Sequence, residues 1–168
     1  MIPWRDPVWK KSNQEYLQAR MEVILAAFEA RSQRSETKSD KIFETAAGKA
    51  AGKRALEIAT GMSSPPALDM LTMRFGLSSF ESNVVVALAS LELTGPMADF
   101  ARKQNPDGVP RLTFSGLFGS LQEAHWSSTG PESPLRYWRM FESSSDSFSV
   151  HSLVRLDESI LHFLAGNP

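Results

Sequence analysis

Two Gly-Lys steps, Gly48-Lys49 and Gly52-Lys53, with Arg54 after the second, stand in the run TAAGKAAGKRALEIATG over residues 45–61. Glycine beside lysine is a pairing that could cradle a phosphate. A loop of the GxxxxGK[ST] type needs four residues between its glycines, so that backbone N–H groups curl round the phosphates, and a hydroxyl after the lysine to meet Mg²⁺. In this chain three residues separate Gly48 from Gly52, and Arg54 takes the hydroxyl position. The preceding SETKSDKIFE is too polar for the buried strand that should lead into such a loop. The stretch reads instead as an alanine-rich helix that displays Lys49, Lys53 and Arg54. Each glycine costs that helix about 1 kcal/mol of propensity. No cofactor is expected.

The remaining chemistry-bearing residues fare no better. There is no cysteine, hence no disulfide, thiolate or cysteine-based zinc site. His125, His151 and His162 lack metal-ligand spacing, so no metal is expected. His125 beside Trp126 reads as a buried, hydrogen-bonded packing residue rather than a general base. Asp157 and Glu158 are adjacent, but acids at a helix start are explained by the helix dipole. Ser127 and Ser128 have no nucleophile motif around them. The chain reads as noncatalytic.

Composition sets outer bounds. A length of 168 residues suits one domain or a domain with an appendage. Hydrophobic content of 42% and charge of 22% are those of a globular chain. A net charge of −1 exerts no overall pull on nucleic acid or anionic membrane. No apolar run approaches the roughly 20 residues of a membrane span, and MIPWRDPVWKK has no apolar signal core. A cytoplasmic location without a membrane partner is expected. Charge is uneven: residues 1–60 carry 11 basic and 8 acidic groups, residues 113–168 carry 3 and 6.

The elements that must position any surface follow from periodicity. Residues 1–11 are expected to be irregular, because Pro3 and Pro7 break regular structure. Trp4 and Trp9 then either fold back on the domain or form a docking arm. A long helix is expected from Ser12, which with Glu15 fits a capping box. Its stripe is Leu17, Met21, Ile24 and Phe28, which packs on its own domain or pairs two subunits. Residues 31–41 read as a polar, flexible link or a frayed helix end. The Ala/Gly helix follows to Gly61, and GMSSPP marks the best internal boundary. Two segments are therefore expected: residues 1–62, helical with a flexible link, and residues 63–168.

In the second segment PALDMLTMRFG reads as a helix closed by Gly76, and SSFESNVVVALASLEL as a central helix capped near Ser78. GPMADFARKQNPDG gives another helix, with Pro96 in its first turn. RLTFSGLFGSLQEAHW gives a further one, capped by Thr113 or Ser115. LRYWRMFES and SFSVHSLVRL alternate as strands joined by a polar turn. DESILHFLAG closes the chain as a helix capped by Asp157. Three helices followed by a hairpin, with a short first strand near Arg111–Leu112, is the order of a winged helix. The expected fold is mainly α with a small β-hairpin: a winged-helix-like module preceded by N-terminal helices. Winged helices commonly place their third helix in the major groove of DNA. That helix, TFSGLFGSLQ, has no Lys or Arg, and the turn ESSSDS is acidic. Nucleic acid is therefore a poor partner, although a DNA-binding winged-helix regulator stays as the alternative.

Five phrases in order carry a resemblance: NQEYL; FGLSSFE with its apolar helix; TFSGLFGSL; HWSSTGPESPLRYWR; and LVRLDESILHFLAG. Together they resemble the N-terminal region of a family of bacterial AAA+ ATPases encoded with phage-tail-like contractile injection systems. The likeness covers about residues 9–34 and 66–166. Leu156 stands where the family pattern prefers Ile, and the family's Walker motifs would lie beyond Pro168. The resemblance implies a winged-helix-variant domain that recruits a partner or substrate, while an ATPase module in cis does the work. The implied partner is a protein, with an injection-particle component as the candidate. Trp4, Trp9, Lys49, Lys53 and Arg54 are the expected partner contacts. His125, Trp126, Trp138 and Asp157 are expected to be structural, Trp138 locking the wing onto the third helix.

Overall fold

The computed structural model describes residues 2–33, 45–144 and 148–167. The fold is mainly helical with a small antiparallel sheet. After a 3-10 turn at Pro3–Arg5 come α1 (Pro7–Ser32), α2 (Ala46–Gly61), α3 (Ala67–Phe75), α4 (Ser79–Leu93) and α5 (Gly95–Gln104). Then follow β1 (Leu112–Thr113), α6 (Phe114–Ser120), a 3-10 turn at Trp126–Thr129 and α7 (Pro134–Tyr137). The chain ends with β2 (Phe141–Ser143), β3 (Leu153–Leu156) and α8 (Glu158–Leu164). The polar link expected at 31–41 has Arg31 and Ser32 inside α1 and Gln33 as its C-cap, and residues 34–41 lie outside the described residues. The tip of the acidic turn, residues 145–147, also lies outside them.

The first helix begins five residues before the expected start. Asp6 caps it by accepting from the Val8 N–H at 2.9 Å. Pro7 sits at the first helical position, where its missing N–H costs nothing and its fixed φ favours the helix. The expected irregular arm is thus mostly helical, and Ser12 with Glu15 lies inside α1 rather than capping it. The stripe Leu17, Met21, Ile24 and Phe28 is buried as periodicity requires.

α4 is the spine. Ser78 and Glu81 form a reciprocal capping box, and Val84, Val85 and Val86 are all fully buried. A β-branched run of this kind suits a strand by propensity, but the cap and burial on every side hold it helical. The core cluster draws Tyr16, Leu17, Ile24 and Phe28 from α1, Val84 to Ala89 from α4, and Phe114, Leu117, Met140, Val154 and Leu156 from the second half. The break at 62–63 is therefore a turn between helices that share one core, not a division of the core.

The sheet has three strands in the order β1-β3-β2. Leu112 pairs with Val154, and Phe141 with Leu156. β1 falls one residue beyond its expected place. The larger correction concerns LRYWRMFES. Its first half is α7 rather than strand, because Ser133 accepts from the Arg136 N–H and Pro134 takes the first helical position. Arg139 then turns the chain at φ 51° before β2 begins. The second expected strand shortens to Leu153–Leu156. The helix expected over RLTFSGLFGSLQEAHW ends at Ser120, and Glu123 at φ 56° redirects the chain toward His125. No single helix among the described residues is long and apolar enough to cross a membrane.

Candidate docking surface

The Gly-Lys steps lie on α2, packed along α1. Gly48 and Gly52, one helical turn apart, face the first helix. A Cβ on Gly48 would stand 3.5 Å from Ala26 Cβ, and one on Gly52 would stand 3.8 Å from Val23 Cγ2. With buried Ala51 and Ala55 they make a small-residue seam that lets the two backbones approach. The glycines thus serve packing. Lys53 pairs with Glu57 at 3.9 Å and is largely exposed. Arg54 reaches across to Glu22 of α1 in an ion pair. Lys49 also has an interaction of its own. None of the three is brought toward the surface described next.

That surface is an apolar groove of about 1000 Å³ between α3, α8 and the N-terminal 3-10 turn. Its walls are Met70, Met73 and Phe75 on one side and Ile160 and Phe163 on the other, with Trp4 at one end. Trp4 meets Phe163 edge to face, at 6.4 Å between ring centroids. Of the expected contacts, only Trp4 lines this groove. Trp9 is buried at 4% exposure, and its indole N–H donates to the Pro65 carbonyl at 3.1 Å. Trp9 therefore anchors α1 and is withdrawn as a partner contact, because the helix that begins at Pro7 carries it inward.

A polar tie joins the helices that wall the groove. Asn13, buried at 1%, donates through Nδ2 to the Leu164 carbonyl at 2.9 Å and accepts from the Ala67 N–H at 2.8 Å. One side chain thus joins α1 to the end of α8 and the start of α3, satisfying an orphan group at each helix terminus. Tyr16 adds a second tie, donating to Asp69 Oδ1 at 2.6 Å while Arg20 donates to the Tyr16 hydroxyl at 3.2 Å. Burial pushes this hydroxyl up to about 12; Arg20 pulls it down and the hydrogen bond to Asp69 raises it further.

The apolar surface continues past the groove. Phe75 stacks edge to face with Trp138 at 5.3 Å, and Trp138 with Tyr137 at 5.0 Å. Met73 is 67% exposed, Tyr137 65% and Trp138 54%. Trp138 is thus not the buried lock that its sequence suggests. The left-handed turn at Arg139 leaves it outside, and Met140 fills the core instead. Trp126 is likewise exposed, at 71%, lying over Phe118 with centroids 4.8 Å apart. His125 is half-buried rather than buried. Its Nε2 hydrogen bonds with Ser78 Oγ at 2.9 Å and its Nδ1 with Ser127 Oγ at 2.7 Å, linking the 3-10 turn to the α4 cap. Asp157 caps α8 by accepting from the Ser159 and Ile160 N–H groups.

Sequence reasoning did not single out Met70, Met73, Arg74, Ile160 or Phe163 as contacts. A signal was present: α3 is nine residues long and buries Leu68 and Leu71, yet carries Met70 and Met73 at i and i+3 on another face. Apolar groups on two faces of so short an element mean one face looks outward. Among the described residues, no cluster of His, Asp and Glu is placed to hold a metal ion. No family model, curated protein or solved structure matches the chain.

Proposed function

We propose that this chain is a noncatalytic protein-interaction domain of the N-terminal type found in contractile-injection-system AAA+ ATPases. It recruits a partner or substrate for an ATPase module in cis. The observation that carries the interaction reading is the apolar surface from Trp4 through Met73 and Phe75 to Trp138, half-buried at Trp4 and Phe75 and exposed at Met73, Tyr137 and Trp138. Contiguous exposure of this kind on a folded domain marks a binding face.

Support for the family comes from what its shared phrases do. Asn13 and Tyr16 of NQEYL are the ties under the groove. Gly76 of FGLS takes the left-handed helix cap at φ 65°, and Ser78 and Glu81 form the capping box. His125 fastens to Ser78, and Asp157 caps α8. These residues set backbone direction at several corners, which is what a shared fold demands of a shared pattern. The strand order β1-β3-β2, in which the strand before α6 pairs with the last strand, supports a winged-helix arrangement.

The test is co-sedimentation of the purified domain with contractile particles and with their separated components from the source organism. Saturable retention by one component is expected. Particles and components that all sediment without the domain would overturn the reading.

A further inference from the structure

We infer that the groove between α3 and α8 receives a short amphipathic helix of a partner protein, one that sets acidic residues beside its apolar face. This deepens the interaction reading and rests on it, but not on the ATPase assignment. The walls are helices whose backbone groups are paired internally, so the groove offers no free strand edge for β-augmentation. Side-chain anchors are the remaining mode, as when an amphipathic helix lies in an apolar groove. α3 has nine residues and so runs for about 13 Å, enough to seat two to three turns of a partner helix. Anchors at i, i+3 or i+4, and i+7 of that helix would meet Met70, Met73, Phe75, Ile160 and Phe163.

Charge decides the partner's chemistry. The ionisable groups that line the groove are Arg74 and His162, with no carboxylate among them. Arg74 is exposed and forms no ion pair among the described residues, and neither does Arg5 beside Trp4. The nearby carboxylates lie outside the lining: Asp69 accepts from the Tyr16 hydroxyl, Asp6 from the Val8 N–H at the α1 N-terminus, and Glu158 stands on α8 one residue before Ser159. An apolar trough whose own lining carries Arg74 and no carboxylate, with Arg5 beside Trp4, is complementary to an acidic amphipathic helix.

The probe is a pair of synthetic helical peptides of about 14 residues with Leu and Phe anchors at that spacing, one flanked by Glu and one by Lys. Each is titrated into the ¹⁵N-labelled domain. The Glu peptide is expected to shift amides of α3 and α8, and to bind about tenfold more tightly than the Lys peptide at low salt. Arg74→Glu should reverse that preference. Met73→Ser should weaken both peptides about tenfold, and both variants alter exposed residues, so each should keep the wild-type melting temperature.

Equal binding of the two peptides, shifts confined to other faces, or no binding of either overturns the inference. So does an α3–α8 shift that appears on raising protein concentration alone, which would assign the groove to a second copy. Binding to anionic vesicles in place of the Glu peptide would assign it to a membrane surface. Retention by a particle component together with unperturbed α3 and α8 would sink this inference while leaving the proposed function standing.

Discussion

At the scale of single residues, burial separates tryptophans that sequence alone treats alike. Trp138 is half exposed and meets Phe75 and Tyr137 in T-shaped pairs. Trp138→Ala should cost about 1 kcal/mol, the worth of an exposed aromatic pair. Phe114 is fully buried among Phe118, Phe141 and Phe148, and Phe114→Ala should cost about 3–5 kcal/mol. Urea unfolding midpoints compare the two, and equal losses would contradict this placement of Trp138. Tyr16 gives a pH-dependent counterpart. Its hydroxyl is held near 12 in the fold against about 10 in an unfolded chain. The folded state therefore binds that proton more tightly. The stabilisation is complete below about pH 10 and is lost as pH rises through about 12. The stability gap between wild type and Tyr16→Phe should narrow across that window. Curves that stay parallel from pH 9 to 12 would show that the Tyr16 proton is not linked to folding.

At the scale of elements, the helices were legible wherever a cap and a stripe agreed. α4 announces itself through Ser78, Glu81 and its apolar run, and α8 through Asp157 and Gly166. Alternation misled at LRYWRMFES because period-2 hydrophobicity over a few residues also fits a single helical turn followed by a bend. Ser133-Pro134 was the deciding local signal there, as Asp6-Pro7 was for α1. The groove was not legible, since it depends on which faces of α3 and α8 meet across more than 80 residues of chain. The glycines of α2 can be tested as packing residues. A methyl at position 52 meets only Val23 at an ordinary 3.8 Å, so Gly52→Ala should raise stability by up to about 1 kcal/mol through helix propensity. At position 48 the methyl would stand 3.2 Å from Thr45 Oγ1, the atom that caps α2 by accepting the Gly48 N–H. Gly48→Ala should gain less, or lose. Equal gains at both positions in urea melts would mean the α1–α2 seam is looser than this packing implies.

At the scale of the whole molecule, the distribution of charge bears on whether the second half of the chain could read DNA. α6, the helix expected to enter a groove, carries no basic residue. The arginines around it are mostly spoken for. Arg111 pairs with Asp107, and Arg155 donates to Glu92 at 2.9 Å. Arg136 donates to the Thr129 carbonyl at 2.9 Å while its guanidinium lies over the Phe148 ring, 4.6 Å from its centroid. Duplex binding is driven by cations that replace condensed counterions, so a surface must present several free cations at once. Among the described residues Arg139 is exposed without an ion pair, yet one arginine neutralises one phosphate at most. The N-terminal helices hold the basic excess of residues 1–60, but Arg54 is paired to Glu22 and Lys53 to Glu57. A gel-shift titration with a duplex of roughly 30 base pairs at about 50 mM salt should therefore give no complex at micromolar protein. A complex whose affinity falls linearly with the logarithm of salt concentration would reverse the assignment. Its slope would count the phosphates engaged, and a slope above about two would require cations that the paired arginines do not supply in this arrangement.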